Sequence, residues 1–211
     1  MLCEGGGMND IFRHPLADSP SGLATTRVAD GCARRAWTVE DIERMVEVGI
    51  LREPEPFELI GGELVAMAAK NRQHEVLRTE LGLFWARRCP LDLKIASETP
   101  LRLGDYDAPE PDFMVYPASL LAPDVRADTV VLVAEIADAS LSIDLNTKAQ
   151  RYAAAGVREY WVINARSLVT SIHREPQSSG YADRQDLAAT EILTPLLAPS
   201  LGVRLAELDL G

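Results

Sequence analysis

Apolar residues recur along this chain with two periods, and the alternation between them outlines the fold. "WTVEDIERMVEVG" places Val39, Ile42, Met45 and Val46 at helical spacing, with Thr38 as N-cap, Asp41 three residues on and Gly49 at the close. "FELIGGELVAMA" gives two short β-runs around Gly61-Gly62, and a two-residue Gly-Gly loop predicts a tight hairpin because primed turns need positive φ. "NRQHEVLRTELGLFWARR" returns to helical spacing through Leu77, Leu81, Phe84 and Trp85, which predicts a helix packed on a sheet. Four strands follow: "LDLKIASE", "PLRLG", "PDFMVY" and "TVVLVAEIA". The last is continuous and β-branched, as a central strand covered on both faces should be. "SIDLNTKAQRYAAAG" reads as a helix ended by Gly156, and "REYWVINA" with "SLVTSIHRE" as a hairpin of strands. "QSSGYADRQD" reads as a turn-rich connection, and the tail as a β-element with a short helical or extended finish. The order predicts an α/β fold with a mixed β-sheet flanked by helices.

Residues 1–36 are rich in Gly, Pro, Ser, Ala and Asp without sustained periodicity and read as a flexible leader, leaving 37–211 as a single domain. A chain of 211 residues, 47% hydrophobic, suits one sizeable core. No apolar run approaches the ~18 residues of a membrane span, and the N-terminus lacks a secretory pattern. Cys3, Cys32 and Cys89 are odd in number and show no CxxC spacing, so a reduced, cytoplasmic setting is expected. The net charge of −11 counts against a grip on nucleic acid through the overall field. It leaves open a local site where a metal ion bridges carboxylates and a phosphate.

The candidate chemistry lies where charge meets apolar sequence. Asp112 follows Pro111 and opens the strand "FMVY", where an ionised carboxylate needs a cation or a metal for compensation. Glu135 lies late in the most apolar strand, between Ala134 and Ile136. The ordinary alternatives are a turn aspartate and a strand-end glutamate reaching solvent. Together, two acids at the ends of adjacent strands can share a hard divalent cation such as Mg²⁺. Asp144, Lys148 and Tyr152 lie along one helical face after the Glu135 strand, so Lys148 is either half of a solvated ion pair or a group hanging over that strand's end. His74 near the start of the long helix is either satisfied by a backbone group or placed at the edge of the site. Glu58, on an otherwise apolar strand, is either an outer carboxylate or an exposed strand residue. Glu63 and Glu110 read as surface charges, and Tyr160 and Trp161 as packing.

"FELIGGELV", "NRQHEVL", "PEPDFMVY", "VLVAEI" and "IDLNTKAQRYAAAGVREYWVIN" together resemble the Uma-two family of putative restriction endonucleases, within the PD-(D/E)XK nuclease superfamily. The resemblance runs from about Thr38 to the C-terminus. It implies a restriction-endonuclease-like fold with a metal site on Asp112 and Glu135, completed by the Ile136 carbonyl, with Mg²⁺ or Mn²⁺ as cofactor. Lys148 takes the place of the superfamily lysine, whose usual position two residues after the glutamate is Ala137 here. The family also tends to carry a Ser-Pro pair after the glutamate's strand, where this chain has "ADAS". The implied activity is metal-dependent hydrolysis of phosphodiester bonds in DNA by a homodimer, with His74 and Glu58 at the edge of the site. The alternative is a binding module that keeps the fold without the catalysis.

Overall fold

The computed structural model of the chain describes residues 25–27, 33–52, 56–67 and 69–211. The chain divides into two compact units, Met1–Ala36 and Trp37–Gly211. In the first, β1 (Thr25–Arg27) pairs antiparallel with β2 (Ala33–Arg35). The expected leader lies mostly outside the described residues.

The second unit opens with α1 (Val39–Glu47), whose start is fixed by a reciprocal capping box: the Asp41 N–H donates to Thr38 Oγ1 at 3.0 Å, and the Thr38 N–H to Asp41 Oδ2 at 3.0 Å. β3 (Phe57–Ile60) and β4 (Glu63–Ala66) form the expected hairpin. Gly61 and Gly62 stand at φ 59° and 79°, the left-handed pair a two-residue turn requires. α2 (Arg72–Ala86) follows, then β5 (Leu93–Ala96), β6 (Phe113–Pro117) and β7 (Leu132–Ala137). After β7 comes a π-helical segment, Ile143–Lys148, that runs directly into α3 (Ala149–Ala155), which Gly156 ends at φ 90°. β8 (Glu159–Asn164), β9 (Thr170–Gln177) and β10 (Gly180–Leu187) complete the strands.

Among the described residues, six strands make one mixed sheet in the order β10-β9-β8-β7-β6-β5. β7 and β8 pair parallel through the α3 crossover, and the other pairs are antiparallel. A strand buried on both faces must be apolar on both, and β7 is buried at all six positions. Leu132, Ala134 and Ile136 pack in one cluster with Leu77, Leu81 and Trp85 of α2. Val133 and Ala137 pack in the other with Tyr152 of α3.

Two expected elements take a different form. "PLRLG" is not a strand: its bonds run from the Leu101 N–H to the Pro109 carbonyl and from the Leu103 N–H to the Asp107 carbonyl, closing a loop on itself. "QSSGYADRQD" is largely strand, because β10 forms the sheet edge and is exposed through its middle, so no apolar alternation marks it.

Candidate active site

Strand register brings the two acids together. Phe113 lies opposite Ala134 and Met114 opposite Val133. One step further along the same antiparallel register, Asp112 falls opposite Glu135, and directly opposed side chains share a face. Here side chains replace the backbone ladder. Glu135 Oε2 accepts from the Asp112 backbone N–H at 3.4 Å, and Asp112 Oδ2 accepts from the Ile136 N–H at 2.7 Å. Because Glu135 alternates with Leu132, Ala134 and Ile136, it stands on the face that carries Val133, Ala137 and α3.

That face receives Lys148. The π-helical turns are one residue wider than α-helical ones and recur at functional sites. Across this segment both Asp144 and Lys148 turn inward and are buried. Lys148 Nζ lies 2.9 Å from Glu58 Oε1, 3.0 Å from Glu135 Oε1 and 3.6 Å from Asp144 Oδ1. The solvated Asp144–Lys148 pair is therefore excluded. One turn on, the Tyr152 hydroxyl donates to Glu135 Oε1 at 3.2 Å. Glu58 is buried on β3, where it also accepts from the Glu110 N–H at 3.0 Å. The hairpin that carries it is tied down at its turn: the Gly61 N–H donates to Asp107 Oδ1 at 2.6 Å, and a Cβ at Gly61 would lie 2.4 Å from Arg151 Nη2.

α2 approaches from the other side. Asn71 caps it by accepting from the His74 N–H at 2.9 Å, and this sets the imidazole facing the strand end. His74 Nε2 is 3.2 Å from Asp112, so the histidine meets a carboxylate. Lys70, just before the helix, stands 3.7 Å from Asp112 Oδ1. A cavity of about 140 Å³ joins these groups, lined by Glu58, Lys70, His74, Asp112, Glu135 and Lys148 among others. Glu110 also lines it and is half-buried, so the surface-charge reading fails there. Tyr160 and Trp161 are fully buried packing residues, as their sequence predicts.

The charges do not balance. Glu58, Asp112, Glu135 and Asp144 are all buried, against one buried lysine. Burial pushes Glu135 well above the usual carboxylate range; the Lys148 charge opposes this, while Asp144, Asp112 and Glu58 add to it. Burial raises Asp144 as well. For Lys148, burial pulls the ammonium down, but Glu135, Glu58 and Asp144 outweigh it and hold the group charged. Burial also acts upward on Asp112, yet the bond and charge of His74 and the Ile136 amide keep it below its ordinary value.

An excess of buried carboxylate with oxygen-only donors fits a hard divalent cation. Asp144 Oδ1 is buried without a hydrogen-bond partner among the described residues, with Lys148 Nζ at 3.6 Å, so it retains a free acceptor position. No three His, Cys, Asp or Glu side chains among the described residues converge on one ion position. A cation would therefore draw on two carboxylates and complete its shell with carbonyl and water oxygens, the manner Mg²⁺ favours.

The chain thus folds as a mixed α/β sheet with a parallel β7–α3–β8 crossover and acids converging at the strand ends. The crystal structure of a putative nuclease belonging to DUF820 from Anabaena variabilis shares this fold, with a TM-score of 0.62 and 17% identity over 79% of this chain and 96% of that one. The chain belongs to the Uma2 family, "Putative restriction endonuclease", whose model matches residues 39–207. No curated protein matches the chain.

Proposed function

We propose that this protein is a divalent-metal-dependent endonuclease hydrolysing phosphodiester bonds in DNA, with one restriction-endonuclease-like domain over 37–211. The observation that carries the reading is the meeting of Asp112, Glu135 and Lys148, from two strands and the segment after them, in one cavity with excess negative charge. Asp112, Glu135 and the Ile136 carbonyl would hold Mg²⁺, or Mn²⁺ in its place. When bound, the cation supplies Lewis-acid stabilisation of charge on the phosphate and acidifies its water.

The chain's own residues do the rest. Lys148 stays protonated, so it donates hydrogen bonds; it orients the attacking water and steadies negative charge on the phosphate, and it does not abstract a proton. Glu58 and Tyr152 fix it and its partner Glu135 in place. His74 aligns the Asp112 carboxylate. Cutting both strands of a duplex calls for two such sites, so the working form is a homodimer, for which the β10 edge offers a pairing surface. The odd cysteines support a cytoplasmic setting. Among the described residues no helix is long and apolar enough to cross a membrane.

A second reading, a binding module without catalysis, has one observation in its favour. Lys148 already has three carboxylates within 3.6 Å, a network able to stand as structure alone. Supercoiled plasmid with Mg²⁺ or Mn²⁺ separates the two. Nicking by the native chain that disappears in Lys148→Ala and Glu135→Ala supports the endonuclease. No nicking, or nicking that survives both substitutions, supports the module.

A further inference from the structure

Outside the acid cluster, Lys70 of the cavity lining belongs to an ion-pair arrangement that the catalytic reading leaves unused. Lys70 and Arg78 flank one carboxylate, that of Glu98. Lys70 Nζ bonds its Oε1, and Arg78 Nη1 lies 3.4 Å from its Oε2. Each oxygen thus faces a separate cation, as the oxygens of a phosphodiester would. Arg78 is further held by Glu75 at 2.6 Å, and its Nε is buried without a hydrogen-bond partner among the described residues. That donor is unused in the present arrangement.

Glu98 occupies this place at a conformational cost. Its φ is 49°, in the left-handed region that a glutamate seldom adopts, and its N–H is held by the Pro111 carbonyl at 3.1 Å. The residue after that carbonyl is Asp112. Lys70 itself stands 3.7 Å from Asp112 Oδ1, so an anion on Lys70 adjoins the proposed metal ligands. Lys148, the deeper cation, is enclosed by Glu58, Glu135 and Asp144. Lys70 and Arg78 are part-exposed, and the Glu98 side chain that holds them is 36% exposed.

We infer that Lys70 and Arg78 form a clamp for a backbone phosphate of the nucleic-acid substrate, and that Glu98 is a built-in stand-in anion which the phosphate displaces. In a chain of net charge −11, such a device keeps two cations beside Asp112 and releases them only to a competing anion. The inference rests on the endonuclease reading for its substrate, but its test does not depend on cleavage.

The test is equilibrium binding of a fluorescein-labelled DNA duplex to the full chain in Ca²⁺, across a salt series, by anisotropy. Lys70→Ala and Arg78→Ala each weaken binding about tenfold and flatten the log–log salt dependence by about one unit per removed contact. Glu98→Gln, which removes the competing charge, tightens binding several-fold. Lys94→Ala, an equal charge change at the exposed position of β5, serves as the control and leaves affinity near native. Melting temperatures show whether each variant is folded.

The inference is overturned if Lys70→Ala and Arg78→Ala match Lys94→Ala, if Glu98→Gln weakens binding as they do, or if the native chain binds no duplex. Plasmid nicking by the same variants in Mg²⁺ or Mn²⁺ separates the two claims. Binding through the clamp without nicking sinks the endonuclease and keeps the clamp, whereas nicking with unchanged affinity in the clamp variants does the reverse.

Discussion

Two buried glutamates sit on neighbouring strands of one sheet and live in opposite circumstances. Glu159 of β8 is fully buried and fully matched. Its Oε1 accepts from Arg174 Nη2 at 2.6 Å, Arg174 Nε at 3.0 Å and Trp161 Nε1 at 2.9 Å, and its Oε2 from the Leu196 N–H at 2.7 Å. One carboxylate meets one guanidinium, and among the described residues no other acid bonds that arginine. Glu135 of β7 shares one ammonium with Glu58 and Asp144. The first arrangement is a closed account of hydrogen bonds that fastens the C-terminal tail to the sheet. The second is left short of positive charge, which a fold relieves by keeping an acid protonated or by admitting a cation.

The contrast can be broken by exchanging the consequences. The largest effect falls on catalysis: Lys148→Ala or Glu135→Gln lowers plasmid nicking by about a thousandfold or more, while Glu159→Gln leaves the nicking rate of folded protein near native. Initial rates at saturating metal decide it. On stability the order reverses. Glu159→Gln leaves Arg174 partly uncompensated and costs about 3 kcal/mol in a urea melt, whereas Glu135→Gln costs under about 1 kcal/mol or stabilises, since it removes an ill-matched charge.

Metal and pH sharpen the comparison further. A carboxyl whose folded pKa is raised binds more protons in the folded state than in the unfolded one. Stability from Glu135 therefore declines as pH rises from the unfolded value near 4.5 toward the raised folded one. Mg²⁺ competes with that proton, so the metal-induced rise in melting temperature grows as pH rises above the unfolded value and amounts to a few degrees. In Glu135→Gln the rise is lost; in Glu159→Gln it persists. The smallest effect is that of Tyr152→Phe, which removes one hydrogen bond to Glu135, costs about 1 kcal/mol and slows nicking a few-fold.

The sequence disclosed more of the chemistry than of its scaffolding. Asp112 and Glu135 stand out because a charge inside apolar, β-branched sequence has few ordinary explanations. Gly61-Gly62 and Gly156 mark turns that need positive φ, and all three adopt it. Glu58 could be noticed for the same reason as Glu135, yet its partner could not be named. Whether it meets Lys148 depends on a hairpin turn tethered through Asp107, which no local pattern encodes. The inward turn of Lys148 depends on a π-helical segment, and the residues "IDLNTK" carry no sign of that shifted hydrogen bonding. Glu110 and Lys70 lie on connecting segments, where periodicity is silent and only the folded path shows which cavity they border. β10 escaped for a related reason: an edge strand exposed through its middle has no apolar face to reveal it.

The central claim is that the charge imbalance around Glu135 is a cation site. Isothermal titration of the native chain with Mn²⁺ at pH 8 tests it directly, beside Asp112→Asn and Glu159→Gln. The account predicts saturable binding with proton release in the native chain and in Glu159→Gln, and its loss in Asp112→Asn. Equal binding by Asp112→Asn, or no saturable heat from the native chain up to millimolar metal, would contradict it.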